Sequence, residues 1–363
     1  MSTGLFKIKV SHDIEDHAWD TFLEKNPAGQ YEQTSLWAQV KALYNWEPIR
    51  IVVYEEGKIV SGIQILIRKM PLIGAVGYVS KGPVFAHYKR NLVQIVINQL
   101  KSVTKKFRIQ YLIVNPPDKS QNLESEMIQV GFEKGSIVDV TAATLIIDLS
   151  IDLDDILVQV KKRTREYIRY GQKRGVIVRE GNREEITLFY QLMLSTCSRQ
   201  KVSPSPSTEE FFQEMWRLFY PHDYVRLFIA EVNGEILASA FVVTFGNTVR
   251  VWKVGWSGNH ANRRPNHVLW WEIIKWAKRN RYRYFDFVGI DPAVAHAVLR
   301  KCSLPESSKH SPSFFKLRFG GKVAVLPGAY SYIYNPIFRW GYHSIFPRIK
   351  EWPLTQKILK NIN

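Results

Sequence analysis

Cysteine is nearly missing from this chain: Cys197 and Cys302 are the only two in 363 residues. They form no CxxC pair and join no Cys/His cluster at zinc spacing, which argues against a disulfide framework or a structural metal. His260, His267 and His296 are too scattered along the chain to suggest a metal site either. A reducing, cytoplasmic compartment is the expectation. Long apolar runs are also missing. Met1 to Val10 lacks the apolar stretch of a signal peptide, and nothing reaches the roughly 18 uninterrupted apolar residues of a spanning helix. A soluble protein is therefore expected, at most resting on the inner face of a plasma membrane. Acidic residues are scarce, 33 Asp plus Glu against 50 Lys plus Arg, for a net charge of +17. Such a balance attracts polyanions: nucleic acid, diphosphate groups or anionic lipid. No GxSxG elbow or Cys/His signature occurs, so catalysis through a protein nucleophile is not expected.

What is present suffices for two cores. The hydrophobic content is 45%, and the length suggests two domains, drawn at 1–150 and 151–326, with a terminal segment 327–363. In the first, a helix from Trp19, a loop at Asn26 to Gly29 and a helix opened by Thr34 or Ser35 precede β-branched runs at Pro48 to Tyr54 and Ile59 to Arg68. Glu55 to Lys58 has hairpin composition. A strand near Tyr78, a Gly82-Pro83 break, a helix Asn91 to Phe107, a strand Tyr111 to Asn115 and an extended run Ala142 to Leu149 follow.

The second domain repeats that order. A basic helix Leu153 to Arg174 ends at Gly175, suited to a C-terminal cap. A strand Val176 to Glu180 and a helix Glu184 to Ser198 precede strands Tyr224 to Val232, Ile236 to Phe245 and Thr248 to Gly255. The turns Asn233-Gly234 and Gly246-Asn247 make these an antiparallel meander. A helix Pro265 to Asn280, with proline in its first turn, leads to a strand Tyr284 to Val288. Meander, helix, strand is the core order of the acetyltransferase fold called GNAT. The expected fold class is thus α/β (α+β): two tandem GNAT-like domains, each a mixed, largely antiparallel sheet flanked by helices.

Five segments in this order carry a resemblance to a known family. They are Gln33-Thr34-Ser35-Leu36-Trp37-Ala38-Gln39-Val40-Lys41, Lys81-Gly82-Pro83-Val84, the basic helix ending in Gly175-Val176, Phe285-Asp286-Phe287-Val288-Gly289-Ile290, and Phe315-Lys316-Leu317-Arg318-Phe319-Gly320. Together they resemble the "Q…W…K", "GPV", "GV", "DFxGI" and "FKxxFG" segments of the FemABX aminoacyl transferases. The resemblance implies transfer of an amino acid from aminoacyl-tRNA to the stem peptide of a nucleotide-linked or lipid-linked peptidoglycan precursor, with no cofactor. It implies that Lys41 helps hold the precursor's diphosphate and that Lys316 sits at the reacting ester carbonyl. It also makes Trp37, Lys81 and Phe315 candidate substrate-binding residues. The chain departs from the pattern at Ala86, where many members carry an acidic residue, and at Ser203 to Ser207, which offers no counterpart for a second diphosphate-binding cation. The coiled-coil arm of some members is absent.

The chemistry such a reaction needs is modest. An aminoacyl ester is already activated, so an attacking amine requires positioning, loss of a proton and stabilisation of the tetrahedral oxyanion. Lys316, flanked by Phe314, Phe315 and Phe319, is the candidate donor to that oxyanion; the plainer alternative is a surface lysine lying over aromatic rings. Asp286, Asp291 and Glu231 are the candidate proton acceptors, with Asp286 equally suited to orienting a loop. Trp37 and Lys41, four apart on a helix, share a face on which the ring could support the lysine stem.

Lys161 to Arg174 holds seven basic residues and one acidic. Arg165, Arg169 and Lys173 fall at i, i+4 and i+8, with Ile156, Val160 and Tyr167 expected toward the core. The stripe is the candidate contact for tRNA or for a membrane surface, the alternative being a solvated face. Arg263 and Arg264 join it as candidate tRNA contacts. Their loop has no glycine after Gly258, which disfavours close cradling of a CoA pyrophosphate. From Pro327 onward, eight aromatics (Tyr330, Tyr332, Tyr334, Phe338, Trp340, Tyr342, Phe346, Trp352) accompany five basic residues, a mixture that packs on the body or meets lipid headgroups. An acyl-CoA-dependent N-acyltransferase and a non-catalytic tRNA- or membrane-binding protein remain as the other functional readings.

Overall fold

All three hairpin signals are realised: Glu56-Gly57 and Asn233-Gly234 each take positive φ at both positions, and at Gly246-Asn247, between paired Phe245 and Thr248, the glycine takes φ +57°, backbones that two-residue turns between twisted strands use. The computed structural model describes residues 6–70, 74–118, 120, 123–135, 141–336, 339–340 and 344. The chain divides into two units, one formed by 1–140 with 327–363 and the other by 141–326.

The first unit runs β1 (Lys7–Ser11), α1 (His17–Lys25), α2 (Ser35–Ala42), β2 (Glu47–Glu55), β3 (Lys58–Met70), β4 (Gly74–Ser80), β5 (Val84–Phe85), α3 (Arg90–Lys106), β6 (Ile109–Asn115), α4 (Leu123–Gln129) and β7 (Glu133–Lys134). Strands β2, β3 and β4 form an antiparallel meander, and α3 then crosses over so that β6 lies parallel to β4. Ile49, Ile51, Val53, Ile63, Ile65 and Val79 meet Val93, Val96, Ile97 and Leu100 of α3 in one core.

The second unit runs β8 (Ala143–Asp148), α5 (Leu153–Gln159), α6 (Lys162–Lys173), β9 (Ile177–Gly181), α7 (Ile186–Gln200), α8 (Glu209–Phe219), β10 (Val225–Val232), β11 (Glu235–Phe245), β12 (Thr248–Trp256), α9 (Pro265–Arg279), β13 (Tyr284–Asp286), α10 (Pro292–Leu299), α11 (Pro312–Leu317) and β14 (Lys322–Val325). Here β10, β11 and β12 are the meander and α9 the crossover to a parallel β13. Strand β11 is apolar on both faces because both are covered. Ala238, Ala240 and Val242 join the core with Leu269 and Ile273 of α9, while the Phe241 ring meets Phe189, Phe212 and Trp216 on the α7 and α8 side. Each unit thus carries the meander, helix, parallel-strand order of a GNAT-like fold, as expected.

Three boundaries differ from the sequence reading. Residues 143–148 pair with β13 and β14, so this run belongs to the second sheet rather than closing the first. The basic helix is two helices. Val160 and Lys161 are extended between them, and the Lys161 N–H donates to the Arg318 carbonyl at 2.9 Å. The last strand stops at Asp286, because Val288 and Gly289 are left-handed. Beyond Leu326, β15 (Tyr330–Ile333) is antiparallel to β6 in the first unit's sheet, with Tyr330 buried. Trp340 is exposed; Phe338, Tyr342, Phe346 and Trp352 lie outside the described residues. Among the described residues, no helix is long and apolar enough to cross a membrane.

Candidate active site

The "DFxGI" and "FKxxFG" segments, separate in sequence, meet through one ammonium group. Asp286 and Arg250 are register partners on β13 and β12, and Arg250 Nε donates to Asp286 Oδ2 at 3.1 Å. The other carboxylate oxygen accepts the Thr144 hydroxyl, from β8, and the Val288 N–H at 2.8 Å. These bonds turn the chain at once after the strand. Val288 takes φ +50° and Gly289 φ +69°, and for a β-branched residue that conformation costs on the order of 1–3 kcal/mol. Both carbonyls consequently face α11, where Lys316 Nζ donates to Gly289 O at 2.8 Å and to Val288 O.

Helix α11 is set by its own cap. The Ser311 hydroxyl accepts the Phe314 N–H at 3.2 Å, Pro312 opens the first turn, and the Ser313 hydroxyl accepts the Asp291 N–H at 2.9 Å. Phe315 contacts His267, Trp270 and Phe319 at centroid separations of 4.9, 5.9 and 5.3 Å. Burial lowers the Lys316 pKa to about 8; Asp286 opposes the shift and Lys253 reinforces it. Two of the three N–H donors of the ammonium are used by carbonyls, leaving one for a ligand among the described residues. Burial, then Arg264 and Arg318, lowers His267 to about 4, so its ring is neutral near pH 7.

The other candidate proton acceptors are occupied structurally. Asp291 caps α10, accepting from Ala293 and Val294, and Glu231 pairs with Arg179 at 3.0 Å. His260 pairs with Glu235 at 3.1 Å, and His296 is exposed on α10. Among the described residues no group of three or more His, Cys, Asp and Glu is arranged to hold a metal ion.

The basic stripe divides. Arg165 turns back to the open carbonyls at the end of α5, donating to Val158 O at 3.1 Å and to Val160 O; it completes a helix terminus instead of presenting a cation to solvent. Arg169 and Lys173 are exposed. Tyr167, expected toward the core, is half-buried beneath the Arg264 guanidinium, 4.1 Å from its centroid. Arg263 donates to the Arg174 carbonyl at 2.9 Å. Gly171 allows this contact: a Cβ there would lie 2.7 Å from Arg263 O and 2.6 Å from Val268 Cγ2. Sequence reasoning passed over Gly171, Thr144 and Arg250, and read Tyr167 as a core residue. The isolated glycine inside a basic helix was the one signal available.

In the first unit, Thr34 caps α2 by accepting the Trp37 N–H, and Gln33 is wholly buried. Its amide nitrogen donates to Ser80 O at 2.6 Å and its oxygen accepts the Gln64 N–H at 2.7 Å. A Cβ on Gly82 would lie 2.7 Å from that same oxygen, so the "Q…W…K" and "GPV" segments are structurally adjoined. Lys41 is buried; the rings beside its ammonium are Tyr44 and Trp46, at 5.7 and 5.9 Å. Trp37 instead packs edge-on against Tyr31 at 5.2 Å. Burial and then the Arg68 charge lower Lys41 to about 8. Arg68 also lies over Trp46, at 5.9 Å. Lys81 is ion-paired with Asp118 at 2.5 Å, which gives its ammonium a partner already.

The chain is similar to known proteins in both units. The FemAB family model matches residues 14–145, and the acetyltransferase (GNAT) domain model matches 159–293. A lipid II:glycine glycyltransferase of Staphylococcus epidermidis is 24% identical over 350 residues, covering 77% of this chain and 84% of that protein. The protein of the same name from Staphylococcus saprophyticus is 26% identical over 234 residues, 61% of this chain and 56% of its own. The crystal structure of FemX superposes with a TM-score of 0.79 at 18% identity, over 93% of this chain and 99% of that one. A tandem GNAT protein from the clavulanic acid pathway gives a TM-score of 0.51 at 11% identity, over 92% and 99%. Family match, relatives and fold agree with the five segments of the sequence and support a FemABX-like family.

Proposed function

We propose that this protein transfers an aminoacyl group from aminoacyl-tRNA to an amine of a peptidoglycan precursor, the acceptor being lipid-linked and the group glycine by analogy with the glycyltransferase relatives. The observation that carries the reading is the Lys316 ammonium, held by the carbonyls of the left-handed residues Val288 and Gly289 with one N–H unspent among the described residues. A cation fixed in this way stabilises an oxyanion without reorganising as charge develops. The amine attacks the ester carbonyl carbon, the C–N bond forms, and the carbonyl electron pair moves onto oxygen beside Lys316. Collapse expels the ribose oxygen, which takes up a proton, while the new amide nitrogen gives one up. Asp286 is a positioning residue here: its carboxylate organises the turn that offers both carbonyls.

Lys41 beside Arg68 is assigned to the acceptor's diphosphate. Trp37 supports that helix through Tyr31, and Lys81 acts through Asp118. Phe315 walls the reacting end, and Arg169, Lys173, Arg263 and Arg264 are assigned to the tRNA. A peripheral position at the inner membrane surface fits a lipid-linked acceptor.

An acyl-CoA donor is the reading favoured by the GNAT match. Against it, the loop before α9 carries side chains at the left-handed positions His260 and Arg264, and the Arg263 carbonyl is turned onto Gly171. The test is incubation with a pool of charged tRNAs and lipid- or nucleotide-linked precursors, with acyl-CoA in parallel, and identification of products by mass. An aminoacylated precursor formed only with charged tRNA is expected. Acylation dependent on CoA, or no product with either donor, would remove the proposal.

A further inference from the structure

We propose that the second unit has a separate binding site for a small amphipathic anion, one carboxylate or phosphate head on an apolar chain. A cavity of about 780 Å³ lies between the α5–α6 junction, the chain following α10, and α11. That size is within the roughly 300–1,000 Å³ of small-molecule sites. Its walls are apolar, from Leu145, Val298, Leu304, Phe314, Leu317 and Val323. Among the described residues, Lys161, Lys301 and Arg318 also line it, and no Asp or Glu does. None of these three cations is in an ion pair among the described residues. Arg318 is fixed in place, its Nε donating to the Thr164 hydroxyl at 3.1 Å and its guanidinium 5.5 Å from the Phe314 centroid. The backbone bond from Lys161 N–H to Arg318 O holds the two residues side by side.

Three cations around one apolar space repel each other and leave the nearby charge uncompensated; an anion relieves both, and only an apolar body uses the walls. Lys316 does not line the cavity, so this is not the site of the transfer step. A nucleobase suits it poorly. The single lining ring, Phe314, is already covered by Arg318, and Gln159 is the one side-chain amide in the lining.

Cys302 lines the cavity and is exposed, which provides the reporter. In the full chain carrying Cys197→Ser, alkylation of Cys302 by a maleimide is timed with decanoate, decyl phosphate, decanol or inorganic phosphate, each below its micellar concentration where one exists. Decanoate or decyl phosphate at ten times its half-protecting concentration is expected to slow labelling about tenfold, saturably. Which of the two protects at lower concentration assigns the head as carboxylate or phosphate. Lys161→Ala with Lys301→Ala, both exposed side chains, is expected to raise the half-protecting concentration at least about threefold with Tm unchanged. Equal protection by decanol would mean apolar filling alone and would overturn the proposal, as would protection by inorganic phosphate alone or no protection at all. If Cys197→Ser lowers Tm, the wild-type chain is labelled and the modified cysteine located by mass.

Discussion

Replacing Lys316 by Met separates the two things this side chain does. The substitution preserves length and apolar stem but deletes the ammonium and its bonds to Val288 O and Gly289 O. Loss of one donor to a tetrahedral oxyanion lowers turnover about 100- to 1,000-fold, roughly 3–4 kcal/mol of transition-state stabilisation. Stability responds to opposing effects. At pH 7, below the lowered pKa of about 8, the ammonium is charged in folded and unfolded chain alike, so its burial costs stability, and Met removes that cost. The two carbonyls, however, lose a charged donor, worth about 1.5–3 kcal/mol each when satisfied. A fall in Tm of several degrees is therefore expected, far less than unfolding. The assay is single-turnover transfer from charged tRNA to precursor, with Tm measured on the same preparation. In the wild type the transfer rate should fall as pH rises through about 8, as the ammonium loses its proton, and this limb should be missing in Lys316→Met. A folded Met variant that keeps more than a tenth of wild-type turnover would refute the assignment.

Lys41→Ala should raise the acceptor KM at least tenfold with kcat little changed; in the wild type, kcat/KM for the acceptor should decline above about pH 8, where the lowered Lys41 pKa leaves the free enzyme's amine neutral. Arg169→Ala and Lys173→Ala should each reduce the slope of log affinity for tRNA against log salt by about 1, measured by filter binding. Arg165→Ala, which opens the end of α5, should lower Tm and leave that slope unchanged. Asp286→Ala removes the carboxylate of a nearly buried ion pair, with side-chain exposures of 15% for Arg250 and 6% for Asp286, and should cost about 3–5 kcal/mol in urea unfolding. A loss below about 1 kcal/mol would contradict the role given to that pair.

The order of elements was legible without coordinates because it rests on local signals. Alternating β-branched residues, Asn-Gly and Glu-Gly turns and proline in a first helical turn act over a few residues, so meander, helix and strand could be read twice. The short helices α10 and α11, without long apolar periodicity, were not foreseen, nor was the break at Val160; α8 was passed over although Phe212, Met215, Trp216 and Phe219 are buried at helical spacing. Lys316 and Lys41 could be nominated from sequence because the motifs that contain them are contiguous.

Sequence by itself determined the charge, the apolar content and the local turns, and with them two GNAT-like cores. It could not decide which cations remain available, because a hydrogen bond to a distant carbonyl leaves no mark on spacing. Arg165, Arg169 and Lys173 are equivalent on a helical wheel, yet only the folded chain brings the end of α5 within reach of the first. In the same way, only the fold turns the Val288 and Gly289 carbonyls toward Lys316. The reason is physical: propensity and periodicity act along the chain, whereas desolvation and hydrogen-bond satisfaction depend on neighbours that the tertiary structure alone supplies.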